Sequence, residues 1–112
     1  MPVCDPKLDH GNPSSILAGV GVALTIVQAL GARFGQPHLW SEYTDLATLG
    51  TVADLVPLVD DNRALVADGV ARMNESPRPA IAALLTSAHA NDKPVAASSL
   101  SFSVIPRLNA AG

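Results

Sequence analysis

The sequence predicts a mainly α-helical fold of four or five short helices. In several segments, apolar residues recur at the three- and four-residue spacing that places them on one face of a helix. The clearest such set is Ile81, Leu84, Leu85 and Ala88. No segment alternates apolar and polar residues convincingly as a half-buried strand does. The 112 residues match the length of about one domain, so we expect residues 1–112 to form a single domain.

The composition excludes several classes of function. Hydrophobic residues make up 48% of the chain, and charged residues make up 15% against a typical value of about 25%. The net charge of -3 argues against a self-contained nucleic-acid-binding module, which normally carries a basic face. Cys4 is the single cysteine, which excludes an internal disulfide and a zinc site of several thiolates. Such cysteine usage suits a reducing compartment, so we expect a cytoplasmic protein.

The longest apolar stretch, residues 16–32, is predicted to be a core helix. Thr25 and Gln28 interrupt it, and it is shorter than the roughly 20 residues that a membrane-spanning helix needs. We therefore expect no membrane contact. Its apolar residues fall on two opposite sides, with Val20, Leu24, Val27 and Gly31 on one and Val22, Ile26 and Ala29 on the other. A helix that is apolar all round is expected to be buried.

Local signals predict where the first two helices begin and end. The first helix is expected to run from about Ser15 to Gly35, which Pro37 follows. Ser41 is expected to cap the second helix, which ends near Asp54 and precedes an extended apolar link. The buried stripe of the second helix is predicted to be Leu46, Leu49, Gly50 and Ala53.

The third and fourth helices are predicted in the same way. Asp60 or Asp61 is expected to cap the third helix. The inner face of this helix is predicted to be Leu65, Val66, Val70 and Met73. Ser76 is expected to be the N-cap of the fourth helix, with Pro77 in the first helical position.

The C-terminal part of the chain contains weaker signals. Residues 91–94 are expected to form a polar turn. Ser98 or Ser99 is predicted to cap a final short helix, which Pro106 interrupts because proline lacks an amide hydrogen.

Asp54 is the acidic residue whose position most suggests chemistry. It lies within the apolar run Val52–Leu58, where a carboxylate is costly to bury without a cation or hydrogen-bond donors. Two interpretations stay open: Asp54 is a metal ligand, or it is a helix-end carboxylate bonded to a backbone amide. Asp45 is nine residues earlier, which on a helix places it on the opposite side, so the two acids cannot act as a pair from that helix alone.

Arg107 and Asn109 are a second candidate. A guanidinium and a side-chain amide two residues apart could hold a phosphate or a carboxylate. The alternative is a solvated arginine beside a helix cap, which is the more common situation for arginine.

Three stretches, in order, resemble the RecJ family of single-stranded-DNA-specific exonucleases within the DHH phosphoesterase superfamily. They are Leu17-Ala-Gly-Val-Gly-Val-Ala23, the segment Asp45–Leu58 with Asn62-Arg63 after it, and Pro106-Arg-Leu-Asn-Ala-Ala-Gly112. The resemblance covers nearly the whole chain but only the middle of such an enzyme. It implies that this chain is a fragment, namely the C-terminal helical part of a larger α/β DHH-type domain up to the interdomain connection.

The resemblance also implies roles for particular residues. Asp54 corresponds to a ligand of the manganese or magnesium pair, and Arg107 and Asn109 correspond to residues with a phosphate-contact or structural role. Single-stranded DNA is then the substrate of the parent enzyme, a 5′–3′ exonuclease of DNA repair and recombination. The other catalytic motifs of the family are missing from this chain, so we expect the chain to be inactive by itself and not to hold the metal alone.

Two alternatives remain open at this stage. One is a non-catalytic helical interaction module, whose exposed apolar helix faces would promote self-association. The other is a fragment of a different DHH-type phosphoesterase that acts on short oligonucleotides or small phosphates.

Overall fold

The computed structural model describes residues 1–90 and 94–111, and this part of the chain is helical and contains no strand. The helices are α1 Gly19–Arg33, α2 Thr44–Ala53, α3 Asp60–Glu75, α4 Pro79–Ser87, α5 Ala97–Ser99 and α6 Ile105–Ala111. A π-helical segment, Leu100–Val104, joins α5 to α6. Short 3₁₀ turns occupy Pro6–Leu8, Pro13–Ile16 and Leu39–Tyr43. The predicted mainly α-helical class is confirmed, while most of the polar turn predicted over residues 91–94 lies outside the described residues.

The hydrophobic core lies between α3, α4 and the C-terminal helical run. Its buried side chains include Val66, Met73, Ile81, Leu85, Leu100 and Val104. The predicted inner faces of the third and fourth helices are confirmed in part: Val66 and Met73 are buried on α3, and Ile81 and Leu85 are buried on α4. The other predicted positions on these two helices, Leu65, Val70 and Leu84, are half-buried. Leu100 and Val104 are fully buried, so the π-helical segment packs inward as part of this core.

The end of α1 lies where the sequence predicts it, next to a glycine. The helices for which the sequence predicts a side-chain cap begin at other residues. Gly35 has a φ of 76° after α1, which glycine adopts without steric cost. Ser41 does not cap α2, because its hydroxyl donates to the His38 carbonyl at 2.8 Å and α2 begins at Thr44. Helix α4 begins two residues later than predicted, with Arg78 as the N-cap and Pro79 in the first turn.

The caps predicted for the other two helices are also corrected. The N-cap of α3 is Val59, and Asp60 lies inside the first turn. Ala96 is the N-cap of α5, and the Ser99 hydroxyl accepts a hydrogen bond from the Ala96 amide at 3.4 Å.

Helical structure continues through Pro106 instead of stopping there. The Ile105 amide donates to the carbonyl of Leu100, five residues earlier, which is the wide π-type turn. A proline removes one amide donor and its ring collides with the carbonyl four residues before it. The widened turn just before Pro106 relieves that collision, so the helix changes pitch and then resumes as α6.

The buried face of α2 is the opposite of the predicted one. Leu46 and Ala53 are exposed, and Leu49 and Gly50 are half-buried. The buried residues of α2 are Thr44, Asp45, Ala47, Thr48, Thr51 and Val52. The reason lies in α3, where Gly69 has no side chain: a Cβ there would lie 2.0 Å from the Thr48 hydroxyl. This close approach lets the small hydroxylated side chains of α2 fill the interface.

Helix α1 is not buried as a whole, contrary to the expectation for a helix apolar on all sides. Only its two glycines, Gly21 and Gly31, are buried. The predicted first stripe does face inward, since a Cβ on Gly50 of α2 would lie 2.7 Å from the Val20 side chain. The opposite side, which includes Ile26, is exposed.

Candidate functional site

Asp54 lies directly after the last residue of α2, with its side chain exposed. Its own amide donates to the Gly50 carbonyl at 3.0 Å, and the next amide, of Leu55, donates to the Val52 carbonyl at 3.3 Å. These two neighbouring amides are therefore engaged with α2. The geometry does not support the interpretation of Asp54 as a carboxylate bonded to its adjacent backbone amides.

The electrostatic setting of Asp54 favours a cation. The C-terminal end of a helix carries a partial negative charge from its unsatisfied carbonyl groups. A carboxylate at that end adds a full negative charge where a positive one is preferred. Exposed carboxylate oxygen is also the donor type that hard divalent cations such as Mg²⁺ and Mn²⁺ take. Asp54 therefore fits the role of one metal ligand.

The described residues do not complete a metal site around it. Within residues 1–90 and 94–111, no group of three or more His, Cys, Asp or Glu side chains is close enough to hold a metal ion. The three histidines, His10, His38 and His89, are all exposed, and Cys4 is a free, exposed thiol. Asp54 therefore belongs to no cluster of three or more such side chains in the part of the chain that the structure describes.

The link that follows Asp54 is held by Asn62 of α3, which is fully buried. The Asn62 amide group donates to the Pro57 carbonyl at 3.0 Å and to the Ile16 carbonyl at 2.8 Å. One side chain thus ties the link and the N-terminal segment to α3. The sequence reasoning gave Asn62 no role, although an asparagine four residues before Val66 on the inner stripe of α3 is a polar residue at a core position.

Asp45 does not take part in a carboxylate pair with Asp54. It is buried, whereas Asp54 is exposed at the other end of α2. The Asp45 carboxylate instead forms an ion pair with Arg78, with its Oδ2 atom 2.6 Å from the arginine Nε. The hydrogen bond from the Arg78 guanidinium to Asp45 raises the pKa of Arg78 above its ordinary value. Desolvation lowers this pKa, but by less than the hydrogen bond raises it. Arg78 is a structural partner that the sequence reasoning missed, because the two residues are 33 positions apart.

Arg107 and Asn109 lie on α6, and both are exposed. Two residues that are two positions apart on an α-helix point in directions about 200° apart, so they do not face the same side. The geometry of α6 therefore does not allow both side chains to bind the same phosphate. Each remains separately accessible for contact with a substrate or with another segment.

The two aromatic residues near the start of α2 have packing roles. Arg78 lies over the Tyr43 ring, with 5.7 Å between the guanidinium carbon and the ring centroid. Trp40 is half-buried and lines a cavity of about 320 Å³ between α1 and α3, together with Leu24 and Leu65. Both aromatic side chains therefore contribute to packing around the start of α2.

None of the helices in the part of the chain that the structure describes combines the length and the hydropathy that crossing a membrane requires.

Comparison with known proteins places the chain beside one group of enzymes. It is 43% identical over 121 residues to the single-stranded-DNA-specific exonuclease RecJ of Dickeya dadantii, with 96% of this chain and 21% of that protein covered. It is 42% identical over 123 residues to the RecJ protein of Escherichia coli, with 98% of this chain and 21% of that protein covered. The RecJ protein of Thermus thermophilus is 41% identical over 93 residues, which is 83% of this chain and 13% of that protein.

The alignments cover nearly all of this chain but only a small part of each relative. The chain spans about a fifth of the length of the Dickeya and Escherichia relatives, while they match nearly all of it. No family model and no solved structure matches the chain. Nearly the whole chain is therefore homologous to the RecJ family of single-stranded-DNA-specific exonucleases, of which it spans an internal segment.

Proposed function

We propose that this chain is part of a metal-dependent 5′–3′ single-stranded-DNA exonuclease of DNA repair and recombination, located in the cytoplasm, and that the chain alone is inactive. The observation that carries the proposal is the identity of 38–43% to six single-stranded-DNA-specific exonucleases. The proposal is also supported by the share of the chain that these relatives match, which is 96–98% for the Dickeya and Escherichia proteins.

The proposed role of Asp54 is to hold one ion of a Mn²⁺ or Mg²⁺ pair. When bound, such a pair activates a water molecule and stabilises charge on the scissile phosphate. The exposed carboxylate at the end of α2 supports this role, as does the anchoring of the following link by Asn62. A ligand must be held in position to select a coordination geometry, and the closely packed α2–α3 pair provides that support.

The proposed role of Arg107 and Asn109 is contact with the DNA phosphates or with the neighbouring part of the enzyme. Both side chains are exposed on α6. Because they project to different sides of this helix, we assign the phosphate contact to Arg107 and a separate contact to Asn109. Arginine is suited to phosphate because its planar guanidinium donates two parallel hydrogen bonds.

The inactivity of the isolated chain is tested with the purified 112-residue protein. The assay measures degradation of 5′-ended single-stranded DNA in the presence of Mn²⁺, with the Escherichia coli exonuclease as the positive control. We expect no degradation above background, because one carboxylate cannot hold a two-metal centre. Mn²⁺-dependent degradation that copurifies with the chain would overturn this part of the proposal.

The role of Asp54 is tested in a chimera in which this chain replaces the matching segment of the Escherichia coli exonuclease. Asp54→Asn keeps the shape of the side chain and removes its charge. We expect it to lower the exonuclease rate by more than about 100-fold, since even a group that only orients a ligand accounts for about 10–100-fold. The matched control is Glu75→Gln at the exposed end of α3, which should leave the rate unchanged. Equal rates for both variants would show that Asp54 is not a ligand.

A second candidate function is a helical interaction module without catalysis. It is favoured by the apolar residues that α1 leaves exposed, such as Ile26 and Leu30. Under this proposal, the isolated chain self-associates through its apolar helix faces and Mn²⁺ does not change its melting temperature. Sedimentation over a range of concentrations tests the self-association. The exonuclease rate of the chimera with the Escherichia coli enzyme separates this candidate from a segment of an exonuclease, because a module without catalysis would leave the chimera inactive.

A further inference from the structure

The cavity of about 320 Å³ between α1 and α3 is built from one face of each helix. Gly21 and Leu24 of α1 line it, and their spacing of three positions places them on the same side of that helix. Ala64 and Leu65 form the middle of the α3 wall, and the half-buried Trp40 closes another part. A volume of this size is at the lower end of the range of roughly 300–1,000 Å³ that is typical of sites for small organic molecules.

An acidic side chain lies at each end of the α3 wall. Asp61 and Asp68 line the cavity, and both are also exposed to solvent. Together with Ala64 and Leu65 they occupy positions i, i+3, i+4 and i+7, which is one face of a helix. Seven residues of helix place the Cα atoms of the two acids about 10 Å apart along the axis. The α3 wall is therefore an apolar strip with a carboxylate at each end.

The charge of these two carboxylates is not neutralised by the cavity lining. Among the described residues that line the cavity, none is Lys, Arg or His. The Thr44 hydroxyl, which also lines the cavity, donates to Oδ2 of Asp68 and holds this carboxylate at the wall. Arg72 lies 3.6 Å from the same oxygen through its Nε, but both side chains of this pair are largely exposed, so the pair contributes little.

We propose that this cavity binds a linear aliphatic diamine, with one ammonium group at Asp61, the other at Asp68 and the methylene chain against Leu65. Charge complementarity selects this ligand, because two separated carboxylates across an apolar strip match two cations joined by an apolar chain. The Trp40 ring adds an aromatic face that attracts ammonium groups. A lysine side chain offers a single ammonium group and cannot reach both carboxylates. The site does not include Asp54 and does not depend on the exonuclease activity.

Trp40 is the only tryptophan of the chain, so its fluorescence reports a ligand in the cavity. The 112-residue chain is titrated at neutral pH with hexamethylenediamine, with hexylamine and with trimethylenediamine. Hexylamine keeps the chain length and one ammonium group, and trimethylenediamine keeps both ammonium groups on a shorter chain. We expect hexamethylenediamine to bind at least about fivefold more tightly than either, because only it reaches both carboxylates.

Asparagine substitutions locate the site. Asp61→Asn and Asp68→Asn keep the shape of each side chain and remove its charge, and the asparagine at position 68 can still accept from Thr44. Each should weaken the binding of hexamethylenediamine about fivefold. The matched control is Asp60→Asn, which removes the same charge from an exposed position of α3 that does not line the cavity. It should leave the affinity unchanged.

Two results with folded protein would overturn the proposal. Equal affinities for the three amines would show that the distance between the carboxylates selects nothing. Equal weakening by Asp60→Asn and Asp61→Asn would show a general attraction of cations to an acidic chain.

Calorimetry on the chimera with the Escherichia coli exonuclease separates this site from the proposed function. A chimera that binds hexamethylenediamine but does not degrade single-stranded DNA would retain the site and refute the function. A chimera that degrades DNA without binding the diamine would retain the function and overturn the site, whether or not the isolated chain binds it.

Discussion

Arg78 holds the buried Asp45 carboxylate with two hydrogen bonds, from Nε to Oδ2 at 2.6 Å and from Nη2 to Oδ1 at 2.9 Å. Arg78 also donates to the Glu42 carbonyl through Nη2 and lies over the Tyr43 ring. One side chain from the connection between α3 and α4 therefore fixes the first turn of α2. The pKa of Arg78 is raised, mainly by its hydrogen bond to Asp45, so the stability that the arginine charge contributes is lost as the pH rises through that pKa.

We predict that Arg78→Ala destabilises the chain by about 2–4 kcal/mol, because it leaves the buried Asp45 carboxylate without its cation and with one hydrogen bond from the Leu46 amide. Arg78→Lys should recover only part of this loss, since an ammonium group cannot form the two-pronged contact with the carboxylate or stack as well on Tyr43. Urea unfolding followed by circular dichroism measures both. Arg63→Ala on the exposed side of α3 is the control, and an equal effect for it would argue against the role of the pair.

Gly69 is predicted to be the least replaceable glycine of the chain. A Cβ at this position would lie 2.0 Å from the Thr48 hydroxyl oxygen and 2.5 Å from the Thr44 carbonyl oxygen. Gly69→Ala would therefore force α2 and α3 apart, and we expect a loss of about 3 kcal/mol or more. The matched control is Gly19→Ala in the first turn of α1, where nothing lies within 4 Å of the added Cβ. A thermal melt that shows the same shift for both variants would contradict the close packing.

Asn62→Ala should destabilise the chain by about 2–4 kcal/mol, because it leaves two carbonyl groups without a donor and opens a cavity. Those carbonyls belong to Ile16 and Pro57, on two separate segments. Asn12→Ala removes a half-buried asparagine that caps a 3₁₀ turn and should cost only about 1 kcal/mol. Urea titration of both variants checks this ranking, and the reverse order would show that Asn62 does not anchor the link.

Asn74 is predicted to attach the segment before α5 to α3. Its side chain accepts a hydrogen bond from the Val95 amide at 2.7 Å and donates to the Val95 carbonyl at 3.0 Å. Asn74→Ala should speed hydrogen exchange at the Val95 amide by about tenfold, since the loss of about 1 kcal/mol per hydrogen bond eases local opening. Asn74→Asp keeps the accepting oxygen and should show a smaller effect. Unchanged exchange in Asn74→Ala would refute the attachment.

The predictable parts of the fold are those that apolar spacing decides. The buried pairs Val66 with Met73 and Ile81 with Leu85 follow from spacing alone, and the end of α1 follows from the conformational freedom of Gly35. The buried face of α2 cannot be predicted from apolar spacing, because Thr48 counts as polar in a sequence pattern. Its burial depends on Gly69 in another helix, and on the Leu65 carbonyl that accepts from its hydroxyl at 3.2 Å.

The candidate site was only partly predictable for a related reason. Asp54 is prominent in the sequence because it interrupts an apolar run, and the structure places it exposed at a helix end. Asn62, which holds the link after Asp54, also donates to the Ile16 carbonyl 46 positions away. The pair of Asp45 with Arg78 at the other end of α2 joins residues 33 positions apart. Side-chain caps such as the one expected from Ser41 failed because a short-range pattern cannot show which carbonyl a hydroxyl will reach.

The most direct measurement of the central claim is the Mn²⁺-dependent degradation of 5′-ended single-stranded DNA by the chimera that contains this chain in the Escherichia coli exonuclease. The account predicts a rate of the same order as that of the unmodified enzyme, and none for the isolated chain. A folded, monodisperse chimera that leaves the DNA intact would contradict the assignment of this chain to a working exonuclease.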